Sequence, residues 1–294
     1  MYTIHRASRA ALACSAVLLA AALAAACADT AYKTTDAKTT ADAGGDAGPE
    51  LDWGSFDVPP LPDGFELGKA VVYAHDALTL YEVDPETLAV TKVADFGWPA
   101  EPDKMTDLAV DQAGRMLGVS RGYVYGVDPK TGACTALSQL PAETHFVGLS
   151  FIAQKSGGPE MLVGIDKTGG RVDRIDPQSG QTVAIGTFGN GLLASGDIVS
   201  VKGLGTVATV IDGKSETDFL ARVDESNGKA TVIGDTGFKS IFGLGYWKGK
   251  LYAFTSAGEF VLLDVKTGAG TLVQADTGVL WWGAGVTTSA PVID

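Results

Sequence analysis

VYGVDPKTGACTAL, from Val124 to Leu137, reads as two short strands joined by the turn Asp128-Pro129-Lys130-Thr131-Gly132. The Asp side chain can accept backbone N–H groups two and three residues on, Pro presets φ, and Gly takes the left-handed conformation that ends the loop. The phrase returns as YEVDPETLAVTKV at Asp84, DRIDPQSGQTVAI at Asp176, ARVDESNGKATVI at Asp224 and VLLDVKTGAGTLV at Asp264. Successive aspartates are 44, 48, 48 and 40 residues apart, a period of about 45 that matches a four-stranded blade. Turn chemistry alone accounts for the five aspartates, which are therefore read as turn-formers rather than metal ligands.

Two further strand-like runs precede each hairpin: TDLAV and RMLGV, VGLSFI and EMLVGI, GDIVSV and TVATVI, FGLGYW and KLYAFT. Each unit is thus four strands, a to d. The first unit has only three, AVVYAH, LTLYEV and AVTKVA, while WWGAGVTT near the C-terminus aligns with a-strands and has no b, c or d strand after it. This strand is expected to complete the first blade and close the ring, which removes open edges. The fold class that follows is all-β, a five-bladed β-propeller over residues 62–294 with its first blade closed by the C-terminal strand. The blades resemble those of bacterial repeat propellers of the L-Y-x-I-D-x-x-T-G type. They lack the Gly-His and Trp-Asp pairs of the WD40 class.

Composition agrees with a β-rich chain: 294 residues, 38 of them glycine, and 46% hydrophobic. The net charge of -13 and the want of a basic stripe exclude nucleic acid as an expected partner, since phosphate binding needs clustered Lys and Arg. At the N-terminus, Arg6 and Arg9 precede an apolar run from Ala10 to Ala26, the pattern of a secretion signal over residues 1–26. LAAAC, Leu23 to Cys27, resembles the lipobox of bacterial lipoproteins, with Leu23 one place further out than usual. The resemblance implies a lipid on Cys27; the alternative is an Ala-x-Ala signal peptidase site with Cys27 incidental. Residues 27–61, rich in Ala, Thr, Asp and Gly, cannot bury enough apolar surface to offset ordering and read as a tether. Cys134 would be the one thiol left in the folded part, and a small buried hydrophobe rather than a nucleophile.

Chemistry is thinly marked. His75 and His145 stand far apart with no HExxH and no Cys pair, so no zinc site is expected. GLGTVA and GNGLLA open no helix, KTG belongs mainly to the blade turn, and G-x-S-x-G is absent. No cofactor is implied. In blade number the chain resembles five-bladed glycoside hydrolases, which implies a possible acid and base in Asp107 and Asp197, both near the start of an a-strand. The matching positions of the other units hold Gly148, Gly243 and Gly283. The preferred expectation is non-catalytic: His75, Trp98, Arg121, Tyr123, His145 and Asp166, on the d-to-a and b-to-c loops of one rim, form a ligand-binding site. The partner is an unidentified protein or small ligand at the cell envelope, and the membrane is reached through the lipid anchor alone.

Overall fold

The structure, a computed structural model, describes residues 72–152 and 159–292. Cys27, the expected signal and the expected tether lie outside the described residues. Twenty strands form five four-stranded antiparallel sheets. Blade one contains β1 (Val72–His75), β2 (Thr79–Val83) and β3 (Val90–Asp95). Blade two is β4 (Asp107–Val110), β5 (Met116–Val119), β6 (Tyr123–Val127) and β7 (Cys134–Gln139). Blade three is β8 (Phe146–Ile152), β9 (Met161–Asp166), β10 (Arg171–Ile175) and β11 (Thr182–Thr187). Blade four is β12 (Leu193–Val201), β13 (Gly205–Ile211), β14 (Phe219–Val223) and β15 (Ala230–Asp235), and blade five is β16 (Ile241–Trp247), β17 (Lys250–Thr255), β18 (Phe260–Leu263) and β19 (Gly270–Gln274). The last strand, β20 (Gly283–Gly285), pairs antiparallel with β1, Ala74 opposite Ala284, and supplies the missing inner strand of blade one. The five-bladed propeller closed by its C-terminal strand is therefore the observed fold.

Every blade repeats the hairpin that revealed it. Asp128 Oδ1 accepts the N–H groups of Lys130 and Thr131 at 2.8 and 3.1 Å, and Gly132 closes the turn at φ 69°. Asp84, Asp176 and Asp264 each hold the same two N–H groups, and Asp224 holds that of Ser226. The turn glycine has a second task. A Cβ on Gly132 would meet Asp95 O of the preceding blade at 2.8 Å, and one on Gly180 would collide with Gln139 O at the end of β7. In blades two to five the turn thus lies against the outer strand of the blade before it. All five c–d ladders also carry a register shift at the same place, as between Val124 and Tyr125. Such bulges increase local twist.

The core lies between blades. One cluster joins Tyr73, Leu80 and Phe96 of blade one to Leu108, Met116 and Tyr125 of blade two; others join blades two and three, and three and four. The largest gathers blades four, five and one around Trp281, which is fully buried with Tyr81 and Phe254 rings at 5.3 and 5.1 Å. On the a-to-b face of the ring the segment after β20 crosses the channel. Thr287 Oγ1 donates to Asp111 O of blade two, Lys202 N of blade four donates to Thr288 O, and Lys248 N of blade five donates to Pro291 O. That face of the axis is capped.

Candidate functional site

The five inner strands each have one edge without a ladder partner, so backbone N–H groups point at the axis and need acceptors. Asp107 of β4 accepts from Leu108 and, at 2.5 Å, from Leu149 of β8. Asp197 of β12 accepts from Ile198 at 2.6 Å, from Leu244 of β16 at 2.5 Å and from Ala284 of β20. The five donors are the equivalent residue of the five inner strands. Two carboxyl groups therefore satisfy one N–H from every blade. They fit because the other three ring positions are Gly148, Gly243 and Gly283; a Cβ on Gly283 would strike Asp107 Oδ1 and His75 Nε2.

Both aspartates are completely buried and hydrogen-bonded to each other. Desolvation raises both acids, Asp107 well above the ordinary carboxylate value and Asp197 to about 8, and the neighbouring charge raises Asp107 further. His75 sits beside them, also fully buried. Its Nδ1 bonds Asp76 O at 2.8 Å and its Nε2 lies 3.5 Å from Asp107 Oδ1. Burial lowers His75 to about 4, so the ring is neutral at pH 7, with Nδ1–H donating and Nε2 an acceptor.

Above this plug, on the face of the d-to-a and b-to-c loops, opens a funnel of about 190 Å³. Four of its walls are residues just ahead of the ring positions: Thr106, Val147, Phe242 and Trp282. Phe146, Ser195, Arg121, His145 and Lys167 complete it. Arg121, His145 and Lys167 stand exposed on blades two and three, opposite the Phe242 and Trp282 side of blades five and one. His145 is fixed from behind. Its N–H donates to Asp166 Oδ2 at 2.9 Å and its carbonyl accepts from Lys167 N at 3.0 Å. Ser195 is fixed likewise, its hydroxyl donating to buried Asp218 at 2.5 Å.

Of the six residues expected at this rim, Arg121 and His145 line the funnel. Tyr123, 40% exposed, stands next to Arg121 and packs its ring against Tyr125 at 6.0 Å. Trp98 is half-buried between Phe96 and Tyr125, at 5.6 and 5.2 Å. Asp166 is buried behind His145, and His75 belongs to the plug below. The residues not foreseen, Thr106, Val147, Phe242 and Trp282, share a signal: each immediately precedes the ring position of its a-strand, which the alignment of WWGAGVTT with IFGLGYWK already placed in register.

The second expectation joins Asp107 and Asp197, and the structure brings them together, but in contact. A sugar between acid and base needs carboxyl groups roughly 5 to 9.5 Å apart and open to substrate. These two touch each other, are wholly buried, and do not line the funnel. Cys134 is buried and its thiol is pushed up to about 12, mainly by desolvation, as suits a packing residue. No cluster of three or more His, Cys, Asp or Glu among the described residues is placed to hold a metal ion.

No protein-family model matches the chain, and no curated protein matches it. Among solved structures, a chain of a nidogen–laminin complex aligns at 9% identity over 73% of this chain and 97% of that one, with a TM-score of 0.48. A symmetrical protein of de novo evolutionary emergence aligns at 14% identity over 76% of this chain and 99% of that one, TM-score 0.46. BamB from Moraxella catarrhalis aligns at 16% identity over 72% of this chain and 61% of that one, TM-score 0.35. At these identities and scores the likenesses add nothing to the chemistry of the site.

Proposed function

We propose that this chain is an exported, lipid-anchored propeller that captures a ligand or protein at the cell envelope without catalysis, through the axial funnel. The observation that carries the reading is the division of labour at the axis. Asp107 and Asp197, the pair that would make a hydrolase, are consumed in holding backbone N–H groups, while cationic and aromatic side chains stand at the accessible mouth. A rigid ring presenting loop residues at one rim is suited to binding. Export and anchoring rest on the sequence of residues 1–27, the charged start, the apolar run and the cysteine after Leu23-Ala24-Ala25-Ala26.

Two experiments test it. Cys27→Ser should move the protein from the membrane fraction to the soluble exported fraction, because an acylated cysteine is the anchor proposed. Wild-type protein already soluble after export would overturn the lipoprotein part. For binding, a photo-crosslinking amino acid at Trp282 or Arg121 should capture an envelope component, whereas one at Val232, exposed on the outer strand β15, should not. Equal crosslinking at both places would remove the funnel from the function.

A further inference from the structure

The funnel divides by charge and by polarity, and the division specifies a ligand. On one side Arg121, His145 and Lys167 project from blades two and three. No ion pair engages Arg121 or Lys167 among the described residues. The acids beneath the rim are already occupied. Asp166 accepts from His145 N and Thr168 N and lies 3.8 Å from Arg171, and Asp218 accepts from Ser195 Oγ and Ile241 N. Two unpaired cations at one cavity, in a chain of net charge -13, are a local reversal of the molecule's charge. Such a reversal concentrates anions at the mouth.

The other side is apolar. Phe242 and Trp282 face inward, Phe146 and Val147 continue the wall, and Trp282 is 37% exposed with Lys104 Nζ 6.0 Å from its ring. Below them the plug's five N–H donors are taken by Asp107 and Asp197. The space is below the usual 300–1,000 Å³ of a drug-sized site, at about 190 Å³.

We infer that the funnel takes a small anionic aromatic group, its ring against Phe242 and Trp282 and its carboxylate, or another oxyanion, held by Arg121 and Lys167. This rests on the binding reading above, of which it names the ligand class. Arg offers a planar fork for a carboxylate and Lys a point charge, and hydrogen bonds to ionised partners are the stronger kind.

The test is calorimetric titration of the purified protein with 2-naphthoate, 2-naphthyl phosphate and the neutral 2-naphthamide. At least one anion is expected to bind about tenfold or more tightly than the amide, the equivalent of one charge-assisted contact. The double variant Arg121→Gln, Lys167→Gln, on exposed side chains, should abolish that preference, whereas Trp282→Ala should weaken all three. Equal binding of acid and amide, or a preference that survives the double variant, overturns the anion assignment while leaving the funnel as a binding site. If none of the three binds while crosslinking at Trp282 persists, the ligand class is wrong and the capture reading stands.

Discussion

At the scale of single residues, Asp107 and Asp197 do work that would otherwise fall to no one. Burying a polar group without a partner costs about 1–3 kcal/mol, and five N–H groups converge where no sixth strand can reach them. Two adjoining buried carboxyl groups are the compact solution, and their shifted acidity has a thermodynamic consequence. Both are raised in the folded state, so the native protein keeps protons that the unfolded chain releases above about pH 4. Their contribution is complete at low pH and declines as pH rises toward about 8, where Asp197 titrates. His75, lowered to about 4, works in the opposite sense. Its contribution is present above about pH 6.5 and is lost as pH falls toward 4. Between pH 6.5 and 8 only the acid pair of this trio changes, and stability should fall by up to about 1.4 kcal/mol per pH unit for each proton released. Asp107→Asn keeps an acceptor oxygen for Leu149 N and removes one of the two titrating groups. The variant should therefore lose the share of that decline that Asp107 contributes. Melting temperatures followed by calorimetry across this window decide it, and an unchanged slope in the variant would refute the protonated plug.

At the scale of the element, the hairpin turn shows what a sequence discloses and what it conceals. Its Asp, its Gly and its period were readable because turn chemistry is local, and from that period the blade number followed. The packing of the turn glycine on the neighbouring blade was not readable, because it depends on how two blades meet. The same limit governs the axis. Asp107, Asp197 and the three glycines were visible at equivalent positions, yet their role as a plug needed the closeness of five strands, and Thr106, Phe242 and Trp282 became a wall only with that closeness. Two glycines separate the local and non-local costs. Gly180 has φ 72° and abuts Gln139 O, whereas Gly213 has φ 70° with nothing within 4 Å of an added Cβ. Gly213→Ala should cost about 1 kcal/mol, from the left-handed backbone alone. Gly180→Ala should cost more, about 2–4 kcal/mol, since the turn must also lift off β7. Equal losses in urea unfolding would show that the blade contact carries no energy.

At the scale of the whole molecule, the ring is closed by the shortest of its inner strands, β20, and three separate structures depend on it. It pairs with β1 and removes that strand's open edge. It brings Ala284 N–H to Asp197 and Gly283 to the floor of the plug. Trp281 and Trp282, just before it, face opposite ways, the first into the largest core cluster and the second into the funnel. A chain ended at Val279 would lose the ladder, one acceptor pairing at the axis, the aromatic wall and the strap that caps the other face. An exposed β1 edge invites pairing with other chains. The truncated protein should show no cooperative melting transition and should elute as aggregate. Trp281→Ala isolates the packing part of this loss. With its ring fully buried against Tyr81 and Phe254, removal should cost roughly 3–5 kcal/mol while leaving the β1–β20 ladder in place. A truncated chain that melts as late as the full one would mean that the ring does not need its closing strand, and the plug and funnel built upon that strand would have to be abandoned with it.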